Sequence, residues 1–104
     1  MPQQDIPETI RTQAVAQGAV PYVAADGRAY LVVQHAGVWR VFVNVCPHRR
    51  LPLDRAGQVF MTEDRTLLVC ANHGARFDPV TGECVAGPCA GKRLQRVPAL
   101  EAAS

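Results

Sequence analysis

The sequence has little of what most functional classes require. No apolar run is long enough to cross a bilayer: the longest, Ala14 to Ala25, is interrupted by Gln17, Gly18 and Pro21, whereas a spanning helix needs about 18 or more such residues in succession. The first residues, Met1-Pro2-Gln3-Gln4-Asp5-Ile6-Pro7-Glu8, contain no basic stretch followed by an apolar one and so carry no secretory pattern. A cytoplasmic setting is expected. Excess charge is small, eleven Lys and Arg against nine Asp and Glu for a net +2, too little to hold a polyanion, so a nucleic-acid partner is not expected. Internal repeats and low-complexity tracts are absent. Asp54, Asp78 and Glu83 lie scattered in predicted loops with no histidine base or nucleophile beside them. Neither catalysis by the chain alone nor a small-molecule substrate is expected.

What remains is a chain of 104 residues, 48% hydrophobic and 19% charged, which fits one small globular domain. Residues 1–17 are polar, contain Pro2 and Pro7, and show only a weak helical pattern around Glu8 to Val15. They are expected to form a loosely held, flexible arm, with the domain itself over residues 18–104. From Val20 the pattern turns to period two. Val20 to Ala24, Arg28 to Gln34 and Val38 to Val45 read as strands, joined by the turns Ala25-Asp26-Gly27 and His35-Ala36-Gly37. Trp39, Val41, Val43 and Val45 share one face and are the predicted core. Gly57 to Thr62 and Arg65 to Val69 read as a further hairpin, Asp78 to Gly82 as a turn, and Leu94 to Leu100 as a final strand. The expected fold is all-β and mostly antiparallel, with two loops at one end.

Those loops carry the chemistry. Cys46-Pro47-His48 and Cys70-Ala71-Asn72-His73 are separated by residues 49–69, and each pair offers one thiolate and one imidazole, the ligands thiophilic transition metals prefer. Because each loop supplies one of each, two facing loops can place both sulfurs on one metal and both imidazoles on a second. A structural zinc site in an interaction module uses the same residue types, but its common spacing groups Cys with Cys and His with His on a helix. Here the pairs alternate.

The alternation, together with the flanking residues Cys46-Pro47-His48-Arg49-Arg50-Leu51-Pro52-Leu53 and Cys70-Ala71-Asn72-His73-Gly74-Ala75-Arg76-Phe77-Asp78-Pro79-Val80-Thr81-Gly82-Glu83, resembles the two cluster-binding loops of Rieske-type ferredoxins, the family in which two His replace two Cys on one iron of a [2Fe–2S] cluster. The resemblance covers roughly residues 18–100. It implies a small antiparallel β-sandwich holding one [2Fe–2S] cluster per chain, with Cys46 and Cys70 on one iron and His48 and His73 on the other. By the same resemblance the protein would be a one-electron carrier, passing electrons from a reductase to an acceptor such as the oxygenase of a ring-hydroxylating dioxygenase. Related small Rieske subunits accompany nitrite reductases, so a permanently held subunit is the alternative.

The resemblance also gives meaning to single positions. High-potential members carry Ser and Tyr hydroxyls that donate to the cluster sulfurs where this chain has Ala75 and Phe77. Without them a low potential is expected, because sulfur hydrogen bonds stabilise the reduced state. Respiratory-type members also join their loops by a disulfide; Leu51 and Ala75 stand in those neighbourhoods, so that bridge is absent. Gly87-Pro88 resembles the proline-containing loop that covers the cluster. Beside it, Cys84 and Cys89 are expected to be buried inert thiols, with a local disulfide as the alternative. Arg49, Arg50, Arg55 and Arg76 crowd the two loops, and together they would present a basic face to an acidic partner. His35, at a predicted hairpin end, is not expected to be a ligand.

Overall fold

β-Branched and aromatic residues recur from Ala19 onward, and they form three antiparallel strands hydrogen-bonded in sequence order: β1 (Ala19–Val23), β2 (Ala29–His35) and β3 (Val38–Val43). The computed structural model describes residues 6–47, 51–71 and 74–101. Register sets Val20 against Val32 and Val32 against Val41, and on the alternate positions Leu31 against Phe42. Both faces of this sheet are covered. Val20, Val32 and Val41 pack with Ile6, Ala14 and Leu100, whereas Leu31, Val33 and Phe42 pack with Leu53, Leu68, Phe77 and Leu94. The predicted core face is therefore only one of two. On it Val41 is buried, Trp39 and Val43 are half-buried and Val45 is exposed, while Phe42 on the other face is wholly buried. Period two identifies a strand, but it cannot rank the faces of a sheet covered on both sides.

One cover is helical. α1 (Glu8–Gln17) lies against β1 and β2, with Ala14 and the preceding Ile6 buried. The Arg11 guanidinium sits 5.3 Å from the centre of the Trp39 ring, a cation–π distance. In the sequence reading residues 1–17 form a loosely held arm; in the structure residues 8–17 are a helix docked on the sheet. Ile6, Ile10 and Ala14 recur at a spacing of four and give it a narrow apolar stripe, which explains the weak pattern.

The second layer is a four-stranded antiparallel sheet in the order β4 (Phe60–Met61), β5 (Leu68–Val69), β6 (Arg76–Phe77), β7 (Cys84–Ala86). The predicted hairpin over residues 57–69 forms β4 and β5 with two residue pairs. The Asp64 carboxylate accepts hydrogen bonds from the Thr62 and Thr66 hydroxyls and from the Thr66 N–H, and these bonds close its turn. Gly82 allows the layers to meet: its φ is +78°, and a Cβ there would lie 2.7 Å from Phe42 Cε1.

The predicted final strand over Leu94 to Leu100 is shorter than expected. Gln95 and Val97 exchange backbone hydrogen bonds with Val43 and Val41, but α2 (Pro98–Glu101) then begins. Pro98 has no N–H for a ladder and suits the first turn of a helix. Two antiparallel sheets with few helices make the chain all-β, as the sequence indicates. Among the described residues no helix is long and apolar enough to cross a membrane.

Candidate metal centre

Cys46 follows β3 by three positions, and its N–H donates to the Leu51 carbonyl at 2.7 Å. Cys70 follows β5 directly, and its N–H donates to the carbonyl five residues ahead, that of Ala75, at 2.8 Å. Inside the second loop the Gly74 N–H returns to the Cys70 carbonyl at 2.9 Å. The loops are tied to each other as well. The Ala71 N–H donates to the Leu53 carbonyl at 3.0 Å, and the Arg55 guanidinium donates to the Ala71 carbonyl at 2.8 Å. Leu51 and Ala75, where a disulfide would join the loops of respiratory-type proteins, serve here through their carbonyls.

Cys46 and Cys70 are both buried, 0% and 1% exposed, within one apolar cluster that also holds Leu53, Ala75 and Phe77. His48 and His73, the other two predicted ligands, lie outside the described residues, as do Arg49 and Arg50. Among the described residues no three His, Cys, Asp or Glu side chains gather as a metal-binding group, so nothing in them builds a separate zinc site of three or four cysteines. Two buried thiols on separate, mutually tied loops are a soft donor set, and it fits an iron–sulfur centre better than a hard cation.

The residue that anchors the first loop is not one the sequence reading selected. Asn44 is buried as a whole residue, at 5% exposure, the one polar residue so buried among the described residues. Its amide nitrogen donates to Asp54 Oδ1 at 2.8 Å, and its oxygen accepts the Leu53 N–H at 2.8 Å. One side chain thus fastens the exit of β3 to the far end of the loop. The signal was available: in Val41-Phe42-Val43-Asn44-Val45-Cys46 an amide interrupts an apolar run immediately before a predicted ligand.

Ala75 and Phe77 are both fully buried, Phe77 within β6 between Leu68 and Cys84. Neither side chain can donate a hydrogen bond. Cys84 and Cys89 are buried side by side: Cys89 Sγ donates to Cys84 Sγ at 2.9 Å, and Cys84 Sγ donates to the Ala86 carbonyl at 3.3 Å. Burial pushes the Cys89 thiol up to about 12, aided by its hydrogen bond with Cys84 and by the Cys84 and Cys46 sulfurs. It therefore stays protonated across the neutral range. At this end Arg55 and Arg76 are exposed. His35 lies at the end of β2.

The sequence matches the Rieske [2Fe-2S] domain family over residues 7–101, which takes in both loops, the thiol pair and the whole of helix α1. No curated protein and no solved structure was found to match. A domain of this family carries a single [2Fe–2S] cluster, transfers electrons and interacts with redox partners.

Proposed function

The chain belongs to the Rieske [2Fe-2S] domain family, and we propose that within it the protein is a low-potential, cytoplasmic ferredoxin whose cluster is held by Cys46, His48, Cys70 and His73. The cluster, when bound, takes up and releases one electron. The chain itself supplies two buried thiolates on loops of fixed spacing, an apolar surround that excludes water, and an exposed edge where a partner docks. The observation that carries this reading is the pair of loops closed alike, each by its cysteine N–H on the carbonyl five residues ahead, and tied together at Ala71 and Leu53.

The finer points have separate support. Ala75 and Phe77 lack the hydroxyls that raise the potential, which favours the lower half of the Rieske range of about −150 to +300 mV. The exposed Arg55 and Arg76, with Arg49 and Arg50 in the sequence of the first loop, favour an acidic docking face, such as that of a reductase donor or an oxygenase acceptor. Exposed Val45 and Leu51 flank the first ligand loop. They favour a second reading, a small subunit permanently held by a larger redox enzyme of the nitrite-reductase kind, which co-purification at fixed stoichiometry would establish.

The test is electron paramagnetic resonance of anaerobically purified, dithionite-reduced protein, with iron, sulfide and zinc measured on the same sample. A rhombic signal with an average g value below that of all-cysteine two-iron clusters, and equal iron and sulfide, is the expected result. A silent sample containing zinc would overturn the proposal in favour of a zinc-stabilised interaction module.

A further inference from the structure

Ala71, between the two predicted ligands of the second loop, is held from both sides. Its N–H donates to the Leu53 carbonyl at 3.0 Å, and its carbonyl accepts a hydrogen bond from the Arg55 guanidinium at 2.8 Å. Both partners come from one short segment, residues 53–55, and that segment is itself fixed. Asn44 binds the Leu53 N–H and the Asp54 carboxylate, each at 2.8 Å. Arg55 and Gln58 exchange backbone hydrogen bonds at 3.0 Å across Ala56 and Gly57, whose φ values are +53° and +79°. Positive φ at both central residues makes a tight hairpin turn. The guanidinium therefore leaves a closed turn rather than an open loop.

A charge that serves only docking needs no such tie. Hydrogen bonds from a guanidinium are stronger than those from a neutral donor, so the bond to Ala71 fastens the second loop to the end of the first. It also carries a fixed positive charge to the residue that follows Cys70. An oxidised two-iron cluster with two sulfides and two thiolates is uncharged, and reduction adds one negative charge. A positive charge held on a ligand loop lowers the energy of the reduced form more than that of the oxidised one.

We propose that Arg55 is a positioning residue of the metal centre: its guanidinium fixes the Ala71 peptide between Cys70 and His73 and places there a positive charge that favours the reduced cluster. This rests on the assignment of Cys70 and His73 as ligands. No bond is made or broken. Unlike a docking charge, Arg55 acts in this way with no partner present, and it holds the potential above the value it would have without the guanidinium.

The test compares cluster-loaded wild type, R55M, R55K and R76M with no partner protein added. Potential by voltammetry, the reduced-state electron paramagnetic resonance spectrum and the rate of iron release to a chelator are measured for each. R55M should release iron about two- to tenfold faster, the range for one net hydrogen bond, at a lower potential and with shifted g values. R55K keeps the charge but not the planar fork, so it should recover the potential more fully than the iron retention. R76M, which removes a charge at the same end, should shift the potential less and leave iron release near wild type. A purely structural tie does not produce rescue by charge. Arg55 is exposed, so these variants should fold; if R55M takes up no iron, R55Q and R55K carry the same comparison. An unchanged potential or unchanged iron release in loaded R55M would overturn the proposal, leaving Arg55 as a docking charge and the ferredoxin reading standing. So would a potential in R55K as low as in R55M, or an R76M that matches R55M in both. A wild type that binds no histidine-ligated cluster would overturn both readings.

Discussion

The Cys46 loop and the Cys70 loop are closed by the same backbone bond, but they are held in place differently. The Cys70 loop is a hairpin connection: β5 and β6 enter and leave it as partners, Leu68 opposite Phe77 and Val69 opposite Arg76. Among the described residues the Cys46 loop has no such frame. The Asn44 side chain, at the exit of β3, ties to Leu53 and Asp54 in place of a strand pair. Backbone pairing is shared among several residues and tolerates the change of any one, whereas a buried side-chain anchor concentrates the task in one amide. Losing it leaves a buried N–H unpaired.

The strongest way to break the comparison is to remove what both loops serve. Cys46→Ala and Cys70→Ala should abolish the cluster equally, with iron and sulfide lost from both, because ligands on separate loops are held together by the metal. Retention of a full cluster in either variant would show that loop to be outside the centre. Next in size is Phe77→Ala. Removing a fully buried aromatic from β6 should cost about 3–5 kcal/mol and loosen the hairpin beneath Cys70, read by urea unfolding and by hydrogen exchange at residues 68–77. Asn44→Ala should cost less, about 1–3 kcal/mol for a buried group left unsatisfied, and its effect should be confined to the other loop. Faster exchange at residues 51–53 with no change in β5 and β6 is expected; equal acceleration in both loops would dissolve the distinction.

The smallest effect lies away from both loops. Glu101 fastens α2 to β3: its carboxylate accepts the Val41 N–H at 3.0 Å and pairs with Arg96 at 2.6 Å. Burial alone would raise its pKa, but the hydrogen bonds from Arg96 and Val41 and the charges of Arg96 and Arg40 outweigh that and hold it below the ordinary carboxylate value. A depressed pKa contributes stability that is full above the unfolded value of about 4.5 and lost as pH falls through the folded one. Glu101→Gln should therefore flatten the acid limb of a melting curve below about pH 4.5, and leave iron content at neutral pH unchanged. An unchanged acid limb would mean that the Glu101 interactions contribute nothing to stability.

The family was more legible than the packing. Cys46, His48, Cys70 and His73, the proposed ligands, stand out because their type, order and spacing are local in sequence, and so do Gly87 and Pro88. Asn44 was missed because its two partners lie nine and ten residues ahead, and only the folded loop makes their bonds visible. Cys84 and Cys89 read as buried thiols from residue type, and both are buried. Residues 8–17 form a docked helix rather than part of a loose arm, and the last strand is shorter than its pattern, for related reasons. A stripe of Ile6, Ile10 and Ala14 is too narrow to announce a helix until a sheet is there to receive it, and Pro98 ends the final pairing directly after Val97.

The sequence by itself determined the strand periodicities, the turns, the two Cys/His pairs and the absence of hydroxyls at Ala75 and Phe77, because each is a matter of residue type at short spacing. Only the tertiary structure decided which face of β1 to β3 packs deepest, that Asn44 anchors one loop while a hairpin frames the other, and that Cys84 and Cys89 lie sulfur to sulfur. Those outcomes depend on which distant surfaces meet. A chain specifies that meeting through the sum of many weak burials rather than through any local pattern.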